Sequence, residues 1–392
     1  KKHGSEKLQL TTAISGPLSS LEIAGFHLAG LDGTVVDLQG KLDGLPEAEK
    51  IHYDLRIAEI RSTEKDVMTF IPQDVVADIN LPEHFSLSGK ISGTTMDYNP
   101  DIALVSTDGA ATVKGFLHMS GGEGREKYQL YVTTDKLNIG KILRQDSVFG
   151  RITANLNAKG TGFDVKRMNA AVKGDIRSLW AMGYDYSNIS LDGNIKEQQA
   201  ALEMLSKDPN AVFNLNGNAD LRGEYPAIDG KLKADSINLY ALHLVSEELA
   251  LRTNIDFNIP YLNPDYPYGD VIVSETGVDT KEKRFFIDSL LFSAKSSPDT
   301  GQHIDVNADF LYASVKGNIP LTKAGVFIQE QVNKYSPLNK NKADTVVAAD
   351  TLNTDGYTLQ MNATVIDRPL LRTFLPGLES LRPTTVNANI SQ

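Results

Sequence analysis

The feature that most constrains this chain is an apolar–polar alternation with a period of two. From Leu249 to Ile259 (LALRTNIDFNI) one phase is apolar apart from Thr253, and the other is polar apart from Ala250. Successive side chains of a strand point to opposite faces, so such a run buries one face; a helix would repeat near 3.6. The pattern recurs at Met168-Ala170-Val172-Gly174-Ile176, at Phe213-Leu215-Gly217-Ala219-Leu221 and at Tyr357-Leu359-Met361-Ala363-Val365. Ala111 to Met119, Ile152 to Ala158, and the pairs Leu21-Ile23 and Phe26-Leu28 belong to the same class. Strands therefore dominate from end to end. At about 8–12 residues per strand and turn, the chain has room for roughly 30–40 of them.

The connections fit short hairpins. Asp32-Gly33, Asp43-Gly44, Asp108-Gly109, Asp192-Gly193, Asp229-Gly230 and Asp355-Gly356 are dipeptides that supply positive φ in tight turns. Asp208-Pro209-Asn210 reads as a further turn, and Gln198 to Leu205 as the strand that leads into it. Helix signals are few. Asn138 to Leu143 makes a single turn, and Leu321 to Tyr335 carries Leu321, Ala324, Ile328 and Val332 at helical spacing. Pro260 to Tyr268, with three prolines, is excluded from a central strand. Asn333 to Asp344 is polar and lysine-rich, an exposed loop. The fold class is all-β: an elongated antiparallel meander folded into an open trough, with a few short helices.

A long-period echo accompanies the alternation. Thr134 to Leu143 (TDKLNIGKIL) is matched by Ala234 to Leu242 (ADSINLYAL), and more faintly by Val365 to Leu375. Each strand runs into a short apolar turn that would plug a core. This self-similarity points to stacked repeats. The expected organisation is one continuous β-groove over residues 1–392, with sub-repeats of about 1–135, 136–260 and 261–392. The chain opens at Lys1-Lys2-His3 without an initiator Met and ends after a strand-like run, which reads as an internal fragment.

Composition removes several function classes. The net charge is −11, against a general nucleic-acid binder, and there is no cysteine for thiol catalysis, disulfides or Cys-ligated zinc. A cysteine-free chain suits an oxidising compartment such as a periplasm. No run approaches 18 apolar residues. The seven histidines include no pair at ligand spacing, so neither metal nor cofactor is expected. Asp256, Asp265 and Asp270 have no reason in the sequence to pair as glycosidase carboxylates. Lys159-Gly160-Thr161-Gly162 lacks the third glycine of a nucleotide loop. Asp350 to Gly356 lacks the spacing of a calcium loop. Trp180 with Tyr184 and Tyr186 reads as packing rather than as a sugar platform.

Three stretches in order carry a resemblance. They are Leu137 to Leu143 with Phe149 to Ala154; Gly183 to Gly193 (GYDYSNISLDG); and Asp220-Leu221 through Ala234 to Leu239, with Asp208-Pro209-Asn210 between the last two. This order resembles the middle of TamB-type translocation and assembly module proteins of the AsmA-like group, best over about residues 130–245. The resemblance implies a periplasmic β-rich rod with a greasy interior. It implies an N-terminal inner-membrane helix and a C-terminal domain, both absent from this chain, and an outer-membrane barrel-assembly partner of the TamA type. It also implies movement of phospholipid between membranes and support of outer-membrane protein assembly, with no catalytic residues to carry over.

The expected function is therefore a non-enzymatic hydrophobic conduit for phospholipid acyl chains. Phe213, Leu215, Leu249, Leu251, Ile255, Phe257, Ile259, Leu359 and Met361 are the expected groove lining. A chaperone that accepts strands of nascent barrels is the alternative, with a carbohydrate-active β-solenoid enzyme behind it. A closed sandwich core is the competing home for the same apolar phase.

Overall fold

The computed structural model describes residues 8–31, 33–70, 79–335, 356–369, 371 and 380–391. Among them twenty-one strands form one antiparallel sheet that is not closed into a barrel. The chain divides into two compact units, residues 1–211 and 212–392.

The first unit carries β1 (Gln9–Ser15), β2 (Ser20–Gly30), β3 (Thr34–Asp43), β4 (His52–Thr63), α1 (Glu64–Phe70), β5 (His84–Thr94) and β6 (Asp97–Ser106). It continues with β7 (Gly109–His118), β8 (Lys127–Asn138), α2 (Ile139–Ile142), β9 (Phe149–Thr161), β10 (Asn169–Ala181), β11 (Tyr184–Lys196) and β12 (Gln199–Asp208). Each strand pairs antiparallel with the next, from β1–β2 to β11–β12. That is a meander.

The second unit holds β13 (Ala211–Asp220), β14 (Ala227–Asn238), β15 (Leu249–Tyr261), β16 (Tyr268–Thr280), β17 (Arg284–Lys295) and β18 (Gln302–Ala308). After them come β19 (Leu311–Gly317), α3 (Leu321–Tyr335), β20 (Thr358–Val365) and β21 (Thr384–Ser391). Pairing again runs in chain order, from β14–β15 to β20–β21.

Several expectations need correction. The strands reach 13 residues, so the described residues hold twenty-one strands where roughly 30–40 were expected of the chain. Asp192-Gly193 and Asp229-Gly230 lie inside β11 and β14, not in turns. Their glycines take the apolar phase, where Gly230 pairs with Phe257 and Gly193 with Val172 and Leu202. A bulky partner needs that room. Pro260 falls within β15, at the place where the register with β16 slips between Asn258 and Tyr261, so its missing N–H interrupts no regular ladder. Asn333 to Tyr335 close α3 instead of opening a loop; the rest of that stretch lies outside the described residues. Asp32, Asp350 to Asp355, and most of the faint echo after Arg368 also lie outside them.

Other details match residue by residue. The apolar phase jumps between Ile23 and Phe26, and the structure has a register shift there. The two strong echoes are the same device twice. β8 shifts register between Thr134 and Leu137, and β14 between Ala234 and Ile237. The Asn138 side chain then accepts from Lys141 N at 3.1 Å, and that of Asn238 from Ala241 N at 3.0 Å, as N-caps do. The α1 turn was not anticipated, although Thr63 to Asp66 carries its signal: Thr63 Oγ1 accepts from Asp66 N at 3.1 Å.

Candidate functional site

Register turns the alternation of single strands into continuous rows. In the first unit one row runs Phe26, Leu38, Ile57, Gly89, Ile102, Val113, Val132, Leu156, Gly174, Leu191 and Met204, from β2 to β12. In the second, Phe257, Val271, Phe292, Val306, Ala313, Ala363 and Val386 cross β15 to β21. Beside it runs Leu232, Ile255, Val273, Leu290 and Ala308. These rows are the candidate site: an apolar sheet face.

Most of that face is half-buried rather than buried. Of the first-unit row only Ile57 is buried, and Ile255, Phe257, Val271, Val273 and Phe292 are all intermediate. A sandwich core would bury such residues almost completely. Buried apolar residues gather in local clusters: Ile152, Ala154, Ile176 and Ile189 with Ile139 of α2; Val278 with Phe285; and Ile319 and Leu359 with Phe327 of α3.

The sequence-predicted lining divides accordingly. Leu249, Leu251, Ile255, Phe257 and Ile259 share one phase of β15 and are half-buried, the first two against Val278 and Phe285. Phe213 and Leu215 of β13 are half-buried as well. Met361 is half-buried and Leu359 is 3% exposed, both against the α3 cluster. What sequence reasoning missed is the role of glycine. A Cβ on Gly230 would stand 2.7 Å from Phe257 Cζ, and one on Gly217 3.8 Å from it. The tip of the Phe257 ring therefore reaches over Gly230 of β14 towards Gly217 of β13, where a side chain would stand in its way at Gly230. The available signal was the in-phase glycine of each alternating run.

The opposite face carries charge. Asp101 faces Lys114, Lys173 faces Asp192 and Lys231 faces Asp256 across adjacent strands, with ion pairs of 2.9, 2.5 and 2.8 Å. The hydrogen bond that Lys173 donates to Asp192, and the charge of that carboxylate, push the Lys173 ammonium up, and Asp256 does the same to Lys231. Burial on the apolar face pushes the Tyr128 hydroxyl up. At the β12 hairpin the Asp208 carboxylate is fully buried. Asp208 accepts from Tyr184 Oη, Ser187 N, Ser187 Oγ and Asn210 N at 2.8–2.9 Å. Burial works to raise its carboxyl, but these hydrogen bonds outweigh it and hold the carboxyl below the usual range.

Trp180, Tyr184 and Tyr186 are packing residues. Trp180 covers Gly150, and Tyr184 meets Tyr186 edge-on at 4.8 Å. Asp256 is paired with Lys231, while the Asp265 carboxylate accepts from Thr322. Among the described residues no group of three or more His, Asp or Glu side chains is placed to hold a metal ion. No helix among them is long and apolar enough to cross a membrane. No family model, curated protein or solved structure matches the chain.

Proposed function

We propose that the apolar face binds phospholipid acyl chains and lets them slide along it, as a non-enzymatic conduit between the inner and outer membranes of a periplasm. The observation that carries the reading is the continuity of half-exposed apolar rows across strand after strand. Exposed apolar area of this continuity marks an interaction surface. Burial of each methylene on it is favourable by about 0.8 kcal/mol and makes no directed bond. Such contacts give affinity without fixing position, which is what transport along a surface requires. The resemblance to the TamB-type middle region supports the same reading and adds a TamA-type barrel as the partner of the whole protein.

Native mass spectrometry of the purified chain tests it. Bound phospholipid is expected, and Ile255→Asp is expected to lower its amount while the strand signal in circular dichroism persists. Arg252→Asp, on the other phase of β15, is the control and should retain the lipid. A chain that carries no lipid, before or after mixing with phospholipid vesicles, would contradict the proposal.

A further inference from the structure

One helix lies where the ligand should lie. Within the second unit α3 covers one end of the apolar face of β19, β20 and β21, at Val315, Leu359, Met361 and Ile390. Phe327 and Ile319 are 0% exposed and Leu359 3%, whereas Ile255 and Phe257 of β15 and Val271 and Val273 of β16 stay half-exposed. Ala324 and Ile328 pack on that cluster together with Val315, Met361 and Ile390. These sheet residues are in register, Val315 with Met361, and Leu359 with Ile390. They are a continuation of the proposed binding face.

The helix is fastened differently at its start and along its body. At its start the grip is polar. The Asp265 carbonyl accepts from Leu321 N at 3.3 Å and from Gln302 Nε2 at 2.6 Å. The Asp265 carboxylate accepts from Thr322 N at 3.2 Å and Thr322 Oγ1 at 2.5 Å. Gln302 Nε2 also donates to the Ile319 carbonyl at 2.9 Å, and Asn263 Oδ1 accepts from Asp265 N at 2.8 Å. Gln302 and Asn263 are buried. Along residues 324–328 the contact with the sheet is made by apolar side chains, which have no directional preference. A directional tether followed by a non-directional seat is the construction of a hinged cover.

We propose that α3 is an internal occupant of the acyl-chain face, hinged at Asp265 and Pro320, and displaced when an acyl chain takes its seat. This inference rests on the function proposed above. Chain and helix compete for the same apolar area, so displacement follows from differential binding of the chain to the uncovered state. The contribution of α3 is fixed, while each added methylene strengthens its competitor. Affinity should therefore rise about fourfold per methylene.

Hydrogen exchange on the unaltered chain tests it, with laurate as probe and hexanoate as the short-chain control. Laurate is expected to speed exchange of the α3 amides about tenfold, with β15 amides unchanged and hexanoate without effect. In parallel, a benzophenone side chain placed at Ile255 reports capture of laurate by the open face. Capture at Ile255 with α3 exchange unchanged or slowed overturns the hinged cover and leaves the conduit standing. No capture at Ile255 overturns both. Phe327→Ala, which shrinks the side chain seated on Leu359, should raise laurate capture from a benzophenone at Met361 several-fold; equal capture in both chains would count against the hinge.

Discussion

In the second unit Ile255, Phe257, Val271, Val273 and Phe292 of β15 to β17 leave the apolar phase half-exposed, whereas one end of the same phase on β19 to β21 lies against α3, with Leu359 sealed. Both stretches alternate with period two and pair antiparallel, the first with bulges in its β14–β15 and β15–β16 ladders. The cover differs. Period-two patterning thus specifies which face is apolar and not what lies on it. A bare row and a sealed core are written in the same letters.

The largest expected effect comes from breaking the sealed side of this contrast. Leu359→Asp places a carboxylate in the cluster with Ile319 and Phe327 and should cost about 3–5 kcal/mol. The check is thermal unfolding, where the midpoint should fall by ten degrees or so. Ile255→Asp on the open side should move it far less, because that carboxylate can reach water. Equal losses at the two positions would erase the distinction.

Next in size is the fully buried Asp208 carboxylate of the first unit. Asp208→Ala leaves Ser187 N, Asn210 N and the Tyr184 hydroxyl without their acceptor and should cost about 1–3 kcal/mol. The pH dependence has a defined sign. The folded carboxyl is held below its ordinary value, so its contribution is fully present above about pH 4 and lost as pH falls through the folded value. Chemical denaturation at pH 7 and at pH 3 should therefore separate the natural chain from Asp208→Ala more at pH 7. A gap that widens in acid would refute this.

The fold was largely legible because alternation, turn residues and helical spacing are local. α3 was readable to its end residues from Leu321, Ala324 and Ile328. The Asp-Gly pairs at 192–193 and 229–230 misled because dipeptide chemistry says nothing of the partner strand. There, a facing Phe257 or Leu202 makes glycine a packing choice. Which residues of β15 share the apolar phase was legible from that strand alone. That Leu359 would be sealed was not, since its cover arrives from a helix whose tether, Asp265, lies 57 residues before Thr322.

The smallest expected effect lies on the charged face. Lys114→Ala removes an ion pair with Asp101 in which both side chains are mostly exposed, so the unfolding midpoint should stay within about 2 °C. A larger drop would mean that the polar face contributes to holding the strands in register.

The most direct test uses the absence of cysteine from the sequence, so that each introduced thiol is the only one. Three single variants, Ile255→Cys, Arg252→Cys and Leu359→Cys, are labelled with a water-soluble maleimide, with and without phospholipid vesicles. An open acyl-chain face predicts that the thiol at 255 reacts in the lipid-free chain and is protected by lipid. The thiol at 252 should react in both conditions, and the one at 359 should react slowly without lipid. A thiol at 255 that is as unreactive as the one at 359 in the lipid-free chain, or that reacts equally with and without lipid, would contradict the account.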